Sequence, residues 1–201
     1  METQNIIALI SGEGTTLQSL IDNCKSTKIV GVLSDELKAN GITRAQQANI
    51  PHILVVERRH NETKEHHSDR MKDALDIVLQ MQDNIRYIVL TGFMTILTAD
   101  FIHHFNEKDI QIINIHPSLL PKYKGLNTYK RALENEDEKQ GMTIHYVDEE
   151  LDSGPILFQV SFDITDRDNI KSIERKTKEL EQRWYPKVID SLFTKEPLVY
   201  F

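Results

Sequence analysis

The chain has a single cysteine, Cys24, among its 201 residues. An internal disulfide is therefore impossible, and so is a zinc cluster built on several thiolates; a reducing compartment, the cytoplasm, is the expected setting. No apolar run reaches membrane-spanning length, so no membrane partner is expected. The polar start, Met1 to Asn5, lacks the basic region that precedes the apolar core of a cleavable signal. A tract of Lys and Arg is missing too. Twenty-four basic residues against 31 acidic ones leave a net charge of −7, and an acidic chain without clustered cations argues against nucleic-acid binding. Small anionic ligands remain open to it, since they need only local donors. What is present is ordinary for a globular protein: 39% hydrophobic and 27% charged residues. A chain of this length makes one domain, or one domain with a small appendage, and can bury about 70% of its unfolded surface.

Short apolar runs alternate with amphipathic stretches through the first half. Strands are expected at Asn5–Ser11, Lys28–Ser34, Ile53–Val56, Arg86–Leu90 and Ile110–Ile115. Between them, Thr15–Cys24, Ala39–Ala48, Asn61–Gln82 and Thr98–Phe105 read as helices; Met71, Leu75, Val78 and Leu79 share one face of the third. Such alternation predicts an α/β fold with a doubly wound, mostly parallel sheet. After His116 the pattern changes. A proline-rich turn leads to a short helix near Tyr129–Glu134, then to strands at Met142–Val147 and Pro155–Ile164, too close in sequence to pair other than antiparallel. Asn169–Leu192 is a long final helix with Ile170, Ile173, Leu180, Trp184, Ile189 and Leu192 as its apolar stripe.

Three segments carry candidate chemistry. Ser11-Gly12-Glu13-Gly14-Thr15-Thr16-Leu17 is a strand, a glycine turn and a helix start, which presents free N–H groups to an anion. A dinucleotide fingerprint is incomplete there: Leu17 stands at the third glycine position, although Asp35 lies near the distance of a ribose carboxylate. A plain helix cap without ligand is the simpler alternative. In the second segment, Asn114 and His116 end a central strand two residues apart, so both side chains project to one face. Pro117 then biases His116 to an extended conformation. An amide donor beside an imidazole suits acyl chemistry, one steadying an oxyanion and the other moving a proton; a lone turn histidine can equally be structural. The third is the acidic loop Asp148-Glu149-Glu150-Leu151-Asp152-Ser153-Gly154-Pro155. Asp152 precedes a Ser-Gly-Pro turn and, folded back over the sheet, could pair with His116.

Taken together, S-G-x-G-T, L-x-G-F-M, N-I-H-P-S-L-L-P-K-Y-x-G and D-x-G-P resemble the folate-dependent formyltransferases, from about Asn5 to about Ile189. The resemblance implies a Rossmann-like formyltransferase fold in a single domain, 1–201, with a nucleotide-binding half to about 110 and a folate and catalytic half from about 111. It implies transfer of a formyl group from 10-formyltetrahydrofolate to the amine of a phosphoribosylated glycinamide in purine synthesis, without a metal. Bare length, the early glycine turn and R-A-L-E-N-x-D favour that acceptor. Formyltetrahydrofolate hydrolases, methionyl-tRNA formyltransferases and sugar N-formyltransferases share the Asn, His and Asp core.

By the same resemblance, Asn114 donates to the formyl oxygen, His116 transfers the proton and Asp152 orients it. Gly14, Thr15 and Thr16 hold the phosphate, with Lys178 and Glu181 on the rest of the acceptor. Lys64, Met94, Thr95, Ile96, Leu97 and the loop Asp148, Glu149, Glu150, Leu151 and Asp152 meet the folate. Thr16 stands where asparagine is commoner, Thr95 where arginine is common and Asn127 where histidine is frequent. His60, His66, His67, His103 and His104 could be drawn as a metal site, but a solvated surface explains them more simply. His145 either lines the pocket or packs. A nucleotide-binding module using Gly12, Gly14 and Asp35 is the non-catalytic alternative. Oligomeric state, monomer or homodimer, is left open by the sequence.

Overall fold

The computed structural model describes residues 4–194. They form, in order, β1 (Gln4–Ile10), α1 (Thr15–Asn23), β2 (Thr27–Ser34), α2 (Asn40–Gln47), β3 (His52–Val55), α3 (Lys64–Met81), β4 (Ile85–Leu90), α4 (Ala99–Asn106), β5 (Gln111–His116), α5 (Thr128–Glu134), β6 (Lys139–Tyr146), β7 (Ile156–Asp163) and α6 (Ile170–Ser191). The strands make one sheet in the order β3-β2-β1-β4-β5-β6-β7. Strands β1 to β5 pair parallel, and β6 and β7 add antiparallel.

The pleat of β1 explains the layering. Ile6, Ala8 and Ile10 join one buried cluster with Leu17 and Leu20 of α1, Ala45 of α2 and Trp184, Tyr185, Val188 and Ile189 of α6. Ile7 and Leu9 join the other, with Met71, Leu75 and Val78 of α3 and Phe101, Ile102 and Phe105 of α4. Successive side chains of a strand face opposite ways, so a strand apolar at every position must be covered on both faces. The chain starts in the middle of the sheet, winds outward to β3, and returns past β1 to β4. The reversal opens a crevice at the carboxyl ends of β1 and β4, where open α/β sheets bind ligands.

Differences from the sequence expectations are local. The sixth strand starts at Lys139 rather than Met142, because its ladder with β7 runs back to the pair Lys139 and Asp163. The third helix begins at Lys64, where the Thr63 hydroxyl caps it by accepting from the His66 N–H. Ile170 is exposed and not part of the α6 stripe: it follows directly on the Asn169 capping box, and burial begins at Ile173. Among the described residues, no helix is long and apolar enough to cross a membrane.

Candidate active site

Strand β5 delivers Asn114 and His116 to the carboxyl edge of the sheet, and His116 is buried there. Its Nδ1 lies 3.3 Å from Asp152 Oδ2. Its Nε2 lies 2.9 Å from the carbonyl oxygen of Tyr123. A carbonyl only accepts, so Nε2 carries a proton. Asp152 is itself buried and takes a positive φ of 51°. Its Oδ2 accepts from the Gly125 N–H at 2.8 Å. The acidic loop thus folds back over the sheet. A side chain at Gly154 could not exist there, since its Cβ would meet the Tyr146 carbonyl at 1.9 Å. Lys124 ties the two loops together further out, through Glu150 Oε1 at 3.1 Å and the Ser153 hydroxyl.

His145 completes the cluster. It pairs opposite Asn114 across the β5–β6 ladder, and its Nε2 lies 3.4 Å from Asn114 Nδ2. Nδ1 faces the Tyr146 carbonyl at 2.8 Å. Burial lowers the His145 pKa from its ordinary value, against the opposing pull of the Tyr146 carbonyl and Asp152. Neutral His145 therefore donates from Nδ1 and accepts from the Asn114 amide at Nε2, which fixes the amide's orientation. The 3.7 Å approach of His145 Nε2 to Asp152 Oδ1 is then a contact and not an ion pair. Sequence reading left His145 undecided; the β5–β6 register is the signal that would have found it.

The glycine turn sits at the start of α1. Gly14 occupies the N-cap with φ 68° and no side-chain cap, so the first-turn N–H groups stay available. A Cβ on Gly14 would lie 2.5 Å from the Cα of Gly41, which packs against the turn and donates its N–H to the Gly12 carbonyl at 3.0 Å. Thr15 is exposed and Thr16 half-buried beside it. Helix α6 runs alongside α1, with Asp190 accepting from the Lys25 and Ser26 N–H groups at the far end. The Cys24 thiol meets the Pro186 carbonyl, one turn earlier on α6, so the two helices run the same way and Glu181 lies further toward the start of α1. Glu181 is buried, and burial pushes its carboxyl up to about 7, against a smaller opposing effect of Lys178. Lys178 is exposed and reaches Glu174 Oε1 at 2.6 Å.

The segment after β4 completes the crevice. Met94 and Ile96 are exposed, Thr95 half-buried and Leu97 buried. Two side chains from neighbouring strand ends hold it: Ser11 Oγ accepts from the Met94 N–H at 2.8 Å, and Asp35 Oδ2 accepts from Thr95 Oγ1 at 2.7 Å. Asp35 is buried in this role, which removes it from a ribose. Lys64 is half-buried at the start of α3, one turn before Ser68, whose hydroxyl meets that of Thr98 at 2.7 Å. In the acidic loop, Asp148 Oδ1 accepts from the Glu150 N–H, Glu149 meets His103 at 2.6 Å, and Leu151 is exposed.

The remaining histidines diverge. His67 is buried with Nε2 on the Val56 carbonyl, His66 is exposed, and His104 pairs with Asp76. Among the described residues, no group of three or more His, Cys, Asp or Glu side chains is placed to hold a metal ion. Cys24 is half-buried with its thiol pushed up to about 12, first by burial and then by Asp190.

Comparison with known proteins gives one consistent result. The formyl transferase family profile matches residues 4–189. The chain is 44% identical over 190 residues to the phosphoribosylglycinamide formyltransferase of Haemophilus influenzae, covering 92% of this chain and 85% of that protein. It is 40% identical over 190 residues to the trifunctional purine biosynthetic protein adenosine-3 of Chironomus tentans, covering 90% of this chain and 13% of that one. Among solved structures, the phosphoribosylglycinamide formyltransferase of Brucella melitensis superimposes with a TM-score of 0.85 at 32% identity, over 99% of this chain and 100% of that one.

Proposed function

This chain belongs to the formyl transferase family, and we propose on that footing that it formylates the amine of phosphoribosylglycinamide, a step of purine biosynthesis, using a folate-derived formyl donor. The donor is 10-formyltetrahydrofolate. Residues 1–201 act as one formyltransferase domain, with the acceptor nucleotide served mainly by residues to about 110 and the formyl transfer by residues from about 111. The observation that carries the proposal is the convergence of Asn114, His116 and Asp152 at the carboxyl edge of the sheet, within 3.3 Å of one another for the last two.

The acceptor amine attacks the formyl carbon and a C–N bond forms. The carbonyl oxygen becomes an oxyanion, steadied by the Asn114 amide and the His116 imidazolium. Collapse breaks the bond from the formyl carbon to the folate nitrogen. The proton lost by the amine ends on that nitrogen through His116, and Asp152 balances the charge on the ring. Gly14, Thr15 and Thr16 offer N–H and hydroxyl donors to the phosphate at the start of α1. Glu181 takes the ribose hydroxyls, with Lys178 near it. Lys64, the backbone of Met94 to Leu97 and the loop from Asp148 to Asp152 receive the folate. No covalent intermediate is needed, and Cys24, half-buried with a raised pKa, has no part in it.

The test is release of tetrahydrofolate from 10-formyltetrahydrofolate with and without phosphoribosylglycinamide. Release that depends on the amine is expected. Release that ignores it would make the chain a hydrolase, and no release at all would leave only a binding module.

A further inference from the structure

Tyr123 is a tyrosine in the left-handed region, at φ 58°. A bulky residue there is a genuine outlier, costing about 1–2 kcal/mol over its ordinary conformations. Its surroundings hold it in place. The phenol donates to Asp137 Oδ2 at 2.7 Å and accepts from Asn135 Nδ2 at 2.9 Å. The Arg131 guanidinium lies over the ring, 4.9 Å from its centroid, and also donates to the Lys124 carbonyl at 2.7 Å. Glu136, itself at φ 53°, makes the turn that aims Asn135 and Asp137 at one hydroxyl. On the other side, the fully buried Ser118 hydroxyl holds the Lys122 carbonyl at 2.7 Å. R-A-L-E-N-x-D, which the sequence offered only as a family mark, is thus the set of residues that grips this tyrosine: Arg131, Asn135 and Asp137.

The strain has one visible product: the Tyr123 carbonyl points at His116 Nε2 from 2.9 Å, a true hydrogen bond. Asp152 lies further from the ring, at 3.3 Å from Nδ1. A hydrogen bond at one ring nitrogen decides the state of the other. We propose that the Tyr123 carbonyl, held by the Arg131–Asn135–Asp137 grip, is the group that orients the His116 ring, and that Nδ1 is the nitrogen that moves the proton. Tyr123, Asn135 and Asp137 are then positioning residues for the reaction, a role that rests on the reading of His116 as the proton carrier.

The experiment uses the whole chain, ¹⁵N-labelled in histidine, with the variants Asp137→Asn and Tyr123→Phe. In the wild type, His116 Nε2 should carry a slowly exchanging, hydrogen-bonded proton, and both variants should shift that signal upfield and speed its exchange. The kcat for formyl transfer should fall about tenfold or more, from the range that acid–base help spans, while both KM values stay within about twofold. In a His116→Ala background the same substitutions should cost nothing further, because their effect passes through the ring. An unchanged Nε2 signal in both variants, or losses that compound with His116→Ala, would overturn the proposal. Tyr123→Phe keeps the ring and its stacking, so a misfolded Asp137→Asn leaves the test intact. The NMR arm needs no substrate. It therefore fails or succeeds apart from the formyl-transfer assay, and wild-type chain without amine-dependent release would sink the functional reading alone.

Discussion

The parallel part of the sheet and the antiparallel edge beyond β5 use backbone strain differently. Among the described residues, eight other than glycine have positive φ. Asn49, Asn61, Asn84 and Asp109 lie up to the start of β5, all exposed and all in turns between elements. Asn and Asp are the residues that enter this region most cheaply. Tyr123, Asn127, Glu136 and Asp152 lie beyond β5, and two of them are chemically costly there. Tyr123 and Asp152 both touch His116. The first region is shaped by ordinary turn chemistry; the second spends conformational energy at Tyr123 and Glu136, and the Tyr123 carbonyl is what it aims at His116. Persistent strain of this kind needs surroundings that over-determine it, and Ser118, Arg131, Asn135 and Asp137 supply them.

From that contrast, the steepest loss comes from the strained region. His116→Ala should lower kcat by about 10²–10⁴-fold with substrate affinities nearly unchanged. Steady-state kinetics with both substrates varied checks this, and a variant retaining more than a tenth of kcat would break the comparison at its centre.

The parallel region should fail in another way. Gly14→Val meets Gly41 and a positive φ, so it should destabilise the fold by about 1–3 kcal/mol and raise the KM for phosphoribosylglycinamide far more than that for the folate. Denaturant melts together with the two KM values measure it. Equal rises in both KM values would reduce the turn to scaffolding.

Thr95→Val sharpens the contrast from within the parallel region. Among the described residues, Asp35 Oδ1 is buried without a hydrogen-bond partner, and Thr95 is the side chain bonded to its other oxygen. The valine would strand a buried carboxylate, at about 1–3 kcal/mol. The segment from Met94 to Leu97 should move, raising the KM for the folate several-fold with little change in kcat. Thr95→Ser, which keeps the hydroxyl, should restore it.

The smallest effect on turnover is a pH dependence. The Glu181 carboxyl sits at about 7 when folded, against an ordinary 4.5. Between those values the folded chain binds more protons than the unfolded one, so stability falls as pH rises from about 4.5 through about 7, by at most about 3 kcal/mol. Glu181→Gln should remove this fall, gaining in Tm over the wild type as pH rises. The wild-type KM for phosphoribosylglycinamide should drop as the carboxylate forms, and the variant should lose that trend. Thermal melts and kinetics across this pH range decide it.

The same contrast explains what was legible in the sequence. Every strand of the parallel region was visible, because Ile6 to Ile10 and its counterparts are short, mainly apolar runs bounded by turns. Asn114, His116 and Asp152 could be singled out, two from strand spacing and one from its turn. Their meeting required the acidic loop to fold back, which no local pattern dictates. His145 stayed undecided because its place depends on which residue faces Asn114 across the ladder. Gly41 escaped notice because its partner, Gly14, lies far away in the chain and only the packing of α2 against the turn brings them together.

The Tyr185 hydroxyl on α6 reaches the carbonyls of Leu90 at 3.1 Å and of Ile113 at 3.2 Å. The β4–β5 ladder pairs only Tyr87 to Val89 with Gln111 to Ile113, so the phenol serves oxygens at the point where the two strands part. This gives the chain a timetable. A ribosome has made every parallel strand well before it adds Tyr185, 72 positions after Ile113. At about 5–20 residues per second, the gap lasts several seconds. During that interval the seam beside the crevice lacks the hydroxyl that both carbonyls share. The sheet edge that carries His116 is finished late, by α6.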